Sequence, residues 1–167
     1  MIPATHRGKN MAKKKTRSQL GRLSKEKCKR TEREVVALLQ EQGFADALRT
    51  QQYSGKGGGP SDVICPKSLP RVHIEVKADQ KIKLGNQALR DAMLQAMRDA
   101  EGDRWWVVFW RRDRSRVTWR LTFPSPFGLC APTVTHPAEM ARVLRELNKK
   151  EIANEPVPDG RESPHYT

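Results

Sequence analysis

The chain has 167 residues, 37% of them hydrophobic and 31% charged, which suits one compact domain with a polar arm at each end. Lys and Arg number 32 against 19 Asp and Glu, a formal net charge of +13 that points to a polyanionic partner, nucleic acid first. Cys28, Cys65 and Cys130 form no C-x-x-C pair and the four histidines are scattered, which argues against a disulfide framework, a zinc knuckle and a histidine-rich metal site.

Residues 1–28 are rich in Lys and Arg and read as a basic, flexible arm able to lie on phosphates, with Met11 as an alternative translation start. The arm lacks the apolar stretch of a secretory signal, so a cytoplasmic protein is expected. Thr31-Glu32-Arg33-Glu34 matches the S/T-x-x-E capping box, which predicts a helix from about Thr31 that ends at Gly43. Glu32 falls on the same stripe as Val35, Val36 and Leu39, so its carboxylate is expected on the buried side. Phe44 to Tyr53 is predicted as a first strand, followed by a glycine-rich loop from Ser54 to Pro60 that lacks the phosphate-binding P-loop pattern. Ser61 to Cys65 and Arg71 to Ala78 are two further strands around a turn. In the latter, Val72, Ile74 and Val76 alternate with His73, Glu75 and Lys77, giving one apolar face and one that carries chemistry.

A second helix is predicted over Gly85 to Glu101, where Ala88, Ala92, Ala96 and Ala100 make a small-residue line suited to close packing on a sheet. Arg104 to Trp110 and Arg116 to Phe123 read as a hairpin. Its tryptophans, Trp105, Trp106, Trp110 and Trp119, suit core packing better than base stacking, because strands bury alternate aromatics. Arg111, Arg112, Arg114 and Arg116 are placed for phosphate contact. The run 105–110 is far shorter than the ~20 residues of a membrane-spanning helix, and no membrane partner is expected. Helical periodicity returns over Pro137 to Lys150 through Met140, Val143, Leu144 and Leu147, which cap the core or an interface, and residues 151–167 read as a disordered tail. The order implies an α/β fold with a central mixed five-stranded sheet flanked by helices.

If the strands holding Asp62 and Glu75 pair as a hairpin, the two carboxylates converge. Each then raises the other's pKa, a conflict that a hard divalent cation such as Mg²⁺ or Mn²⁺ removes. The Val76 carbonyl offers another oxygen. Lys77 leaves the strand on the face of Glu75, about 6.8 Å along it, where an ammonium can orient an attacking water and balance phosphate charge. Glu-x-Lys alone is common on exposed strands. Specificity comes from the ordered set of Glu32, a glycine-rich loop, Pro60-Ser61-Asp62 and Glu75-Val76-Lys77.

That set resembles the archaeal-type Holliday junction resolvases of the PD-(D/E)XK nuclease superfamily, whether cellular or phage-encoded. The resemblance runs through Glu32-Arg33-Glu34-Val35-Val36, Gly43-Phe44, Ser54-Gly55, Ser61-Asp62-Val63-Ile64 and Ile74-Glu75-Val76-Lys77, over about residues 29–110. It implies a restriction-endonuclease-like core within a nuclease domain at 29–150, a homodimer, and Mg²⁺-dependent paired hydrolysis of opposing strands of a four-way DNA junction, with Mn²⁺ as a substitute. Asp62 and Glu75 are implied as metal ligands, Lys77 at the attacking water, Glu32 as a supporting ligand and Ser54 beside the scissile bond. Ser54, Lys56, Gln87, Arg30 and Arg33 are the expected substrate contacts. Two departures stand out: Ser61 separates Pro60 from Asp62, and no likeness extends beyond Phe123. Alternative readings are another repair or restriction-type endonuclease of the superfamily, or a non-catalytic basic DNA-binding protein.

Overall fold

The computed structural model describes residues 16–50, 61–100, 104–112, 118–125 and 131–150. Ser54, Lys56, Arg114, Arg116, Cys130 and the predicted tail at 151–167 lie outside the described residues.

Helix α1 spans Arg17–Glu41 and so begins well before the predicted start at Thr31. The capping box is made by Thr16 and Gln19: Thr16 Oγ1 accepts from the Gln19 amide at 3.3 Å, and Gln19 Oε1 accepts from the Thr16 amide at 3.0 Å. Thr31 lies mid-helix instead, where its hydroxyl donates to the Cys28 carbonyl at 2.8 Å, a bond compatible with an unbroken helix. Residues 17–28, read as flexible arm, are therefore helical, and nearly all of their side chains are exposed. The helix ends as predicted. Gly43 adopts φ 92°, its amide donates to Gln40 O and that of Phe44 to Leu39 O, both at 3.0 Å, while Phe44 and Leu39 are buried together.

That C-terminal motif, with a further turn in which the Ala47 amide donates to Phe44 O, occupies the start of the predicted first strand. Strand β1 is consequently only Leu48–Arg49. It is followed by β2 (Val63–Ile64), β3 (Val72–Asp79), α2 (Gln87–Asp99), β4 (Trp105–Arg112), β5 (Arg120–Thr122), β6 (Thr133–Val134) and α3 (Pro137–Lys149). Among the described residues the sheet has six strands in sequence order, not the expected five; the addition is β6, two residues too short to show a period-2 pattern. All neighbours pair antiparallel except β3 and β4, which are parallel and connected through α2. The Asp46 carboxylate accepts from the Lys67 and Ser68 amides and the Ser68 hydroxyl, which fixes the β2–β3 turn against the end of α1. The Ser68 hydroxyl and these amides hold its carboxyl down at about 2.

The strand alternation creates two cores. Ile74 and Val76 of β3, with Val107 and Phe109 of β4, pack against Val35 and Leu39 of α1 and Met140 and Leu144 of α3. On the other face Val108 and Trp110 pack beneath Leu89, Ala92 and Ala96 of α2, as the small-residue line predicts. Trp110 and Trp119 are buried, and the Trp110 indole donates to Thr122 Oγ1 at 2.8 Å, so both serve packing. Arg111 is paired with Glu34 and lies over the Trp119 ring, while Arg112 donates to Gln80 O. Leu144 is fully buried, so Leu144→Ala is expected to lower stability by about 2–5 kcal/mol in urea unfolding. A loss below about 1 kcal/mol would detach α3 from the core.

Candidate active site

The site is built by the pairing of β2 with β3. Val63 lies opposite Ile74 in an antiparallel ladder, so Asp62, one residue before, meets Glu75, one residue after. Backbone bonds hold Asp62 on both sides: its amide donates to Ile74 O at 2.9 Å and its carbonyl accepts from Thr50 N at 3.1 Å. The Asp62 carboxylate accepts from the Val76 amide at 2.8 Å. Since a strand residue's N–H and C=O leave along the same edge, the Val76 carbonyl faces the Asp62 side as well.

Glu75 pairs with Val108 and Lys77 with Trp110 across the parallel ladder, so both leave the sheet on the α2 face. Glu75 is 6% exposed and Asp62 7%. Burial first, then the charge of Asp62, push the Glu75 carboxyl up to about 8; Asp99 and a hydrogen bond to Asp62 add to the rise and Lys77 opposes it. Burial and the neighbouring Asp62 charge thus favour the protonated form of Glu75. That is the conflict the sequence implies, and two hydrogen-bonded carboxyls with a carbonyl on the same edge fit a hard divalent cation.

The other expected residues stand differently. Glu32 is buried, as its helical stripe predicts, but its carboxylate accepts from Arg49 at 3.2 Å. Arg49 lies opposite Val63 on the α1 face of the sheet, whereas Glu75 and Lys77 leave the α2 face. Gln87 is exposed at the first turn of α2 and donates to Asp91 at 2.6 Å. Arg30 and Arg33 are exposed on α1, with Arg30 3.7 Å from Glu34.

The fold adds two residues that sequence reasoning missed. Among the described residues, one potential ligand atom each from His73, Glu75 and Asp99 lies within 4.8 Å of the others. The His73-x-Glu75 spacing was visible as one strand face; Asp99, at the far end of α2, carries no local signal. His73 is completely buried, and burial followed by the nearby Arg104 lowers its pKa to about 4, with Asp99 opposing.

These shifts set the pH response of the metal-free protein. Glu75 remains protonated in the fold up to about 8, while the unfolded group ionises near 4.5, so its contribution to stability declines as the pH rises between those values. His73 acts in the opposite sense between about 4 and 6.5, and the two offset each other up to 6.5. Thermal melts in EDTA are therefore expected to show the melting temperature falling from pH 6.5 to 8, a slope that Glu75→Gln removes. The same slope in the variant would assign it to another group.

No protein-family model matches the chain, and no curated protein matches it. In shape it is similar to the solved structure of Hjc, a Holliday junction resolvase from the archaeal hyperthermophile Archaeoglobus fulgidus, at 21% sequence identity over 68% of this chain and 98% of that one, with a TM-score of 0.43.

Proposed function

We propose that the protein is a divalent-cation-dependent DNA endonuclease of the PD-(D/E)XK type, acting as a homodimer that nicks opposing strands of four-way junctions. The observation that carries this reading is the buried Asp62–Glu75 pair, with Lys77 on the face of Glu75. Asp62, Glu75 and the Val76 carbonyl would hold Mg²⁺ or Mn²⁺, which when bound supplies positive charge to the scissile phosphate. Lys77 donates to the attacking water and adds its own charge beside the phosphate, where charge accumulates in the transition state. Burial around Glu75 strengthens these electrostatic effects by excluding water. Ser54 and Lys56 belong to the reading as contacts near the scissile bond, and Gln87 as a contact at the start of α2. Glu32 belongs to it as a supporting carboxylate oriented by Arg49.

The exposed stretch of α1 carries Arg17, Arg22, Lys25, Arg30 and Arg33, a basic surface suited to phosphates. Paired nicks need two sites, and Leu84, Leu94 and Met97 expose an apolar surface along and just before α2 that supports self-association. No described helix is long and apolar enough to cross a membrane.

The test is incubation with four-way junction, linear duplex and single-stranded DNA, in Mg²⁺ or EDTA. Symmetric nicks confined to the junction and abolished by EDTA are expected. Equal cutting of linear duplex would remove junction selectivity and leave a general nuclease; binding without any cutting would leave a DNA-binding protein. Asp62→Asn is expected to slow cleavage by about 10²–10³-fold or more while junction binding persists, as for loss of one electrostatic stabiliser. Binding should weaken with salt by roughly 0.9 log units per log unit for each phosphate neutralised, and a flat response would contradict the basic surface.

A further inference from the structure

The α2 face of β3 holds a second group of ligand atoms, different in chemistry from the Asp62–Glu75 pair. His73 Nε2 is fully buried and has no hydrogen-bond partner among the described residues, although a buried ring nitrogen normally has one. The other ring nitrogen, Nδ1, lies 2.9 Å from the buried Ser61 hydroxyl. With Nδ1–H donating to Ser61 Oγ, the lone pair falls on Nε2, the arrangement in which a histidine binds a metal while its second nitrogen is anchored. One ring nitrogen of His73 and one carboxylate oxygen each of Glu75 and Asp99 lie within 4.8 Å of one another. A single ion with bonds of about 2.1 Å holds its ligand atoms ~3–4 Å apart, so small side-chain rotations close the group.

Asp99 is the last residue of α2, and the negative end of a helix dipole is an unfavourable place for a carboxylate unless a cation is near. Lys77 and Arg104 are the basic groups facing this region, against the carboxyls of Asp62, Glu75 and Asp99. Arg104 also donates to the Asp99 carbonyl at 3.1 Å, which ties the end of α2 to the start of β4.

We infer that His73, Glu75 and Asp99 form a binding site for a divalent transition-metal ion of the Mn²⁺ or Zn²⁺ kind between β3 and the end of α2, with Ser61 orienting the histidine. One imidazole nitrogen with two carboxylates suits such ions, whereas Mg²⁺ and Ca²⁺ prefer oxygen alone. Glu75 is common to this site and to the nuclease pair, and Asp62 is not one of its ligands. The site stands on its own geometry and does not depend on cleavage.

Pulsed EPR of the full chain with added Mn²⁺ tests it, since a coordinated imidazole gives a ¹⁴N coupling. The coupling is expected in the wild type and in Asp62→Asn and absent in His73→Gln. Asp99→Asn and Ser61→Ala are each expected to weaken Mn²⁺ binding by about tenfold or more. No nitrogen coupling in the wild type at saturating Mn²⁺, its persistence in His73→Gln, or unchanged affinity in Asp99→Asn would overturn the site. The wild-type spectrum and the Asp99→Asn affinity decide the matter even if His73→Gln does not fold. Coupling lost in Asp62→Asn but kept in Asp99→Asn would overturn it in favour of an ion at the Asp62–Glu75 pair, leaving the nuclease reading intact. Intact coupling in a protein that cuts no DNA would do the reverse.

Discussion

Strand β3 has a neighbour along both edges and a helical layer over both faces, and its two-residue alternation sorts everything around it. Ile74 and Val76 go to the α1–α3 side, where aliphatic packing is continuous through β4. His73, Glu75 and Lys77 go to the α2 side, where three ionisable groups in succession meet a helix. A shift of one residue in the β2–β3 register would exchange these faces, burying the charges in the main core and separating Asp62 from Glu75. Stability and site chemistry therefore rest on the same ladder, and the bond from the Val76 amide to the Asp62 carboxylate belongs to both.

Burying an acidic pair is unfavourable, and the surroundings show how the fold tolerates it. Burial favours the neutral form of Glu75, and the Val76 amide donates to the Asp62 carboxylate. His73 stays neutral through the physiological range for the same reason of burial. These groups lie beneath α2, whose small residues Ala92 and Ala96 bring the helix close to the sheet and bring Asp99 within reach of Glu75. Parallel pairing of β3 and β4 depends on that crossover, so the element completing the ligand group is also the one that permits the parallel ladder.

Helix α1 works in two halves. Its second half buries Val35 and Leu39 and ends in a left-handed glycine that turns Phe44 back onto the core. The first half carries basic charge outward, starts from its own capping box, and is supported by pairs such as Lys29–Glu26 at 3.4 Å. Hydrophobic periodicity detects only the second half, because a helical segment with nearly all of its described side chains exposed leaves no stripe. The Thr16–Gln19 box opens this solvent-facing half, so no apolar stripe accompanies it.

Local pattern determined much of this protein by itself. The alternation of β3, the alanine line of α2, the terminal glycine of α1, the periodicity of α3 and the burial of Glu32 are all period or capping signals carried within a few residues. The convergence of Asp62 and Glu75 was also legible, because a hairpin register follows from adjacent strands. Tertiary structure alone decided which acidic groups share a face. Glu32 sits on the buried stripe of α1, and only the packing of that helix on β1 supplies Arg49 as the partner of its carboxylate. Asp99 carries no local signal, yet the crossover from β3 to β4 carries it back to His73 and Glu75. Sequence period fixes the direction of a side chain relative to its own element, whereas the face to which the element is applied is set by long-range packing.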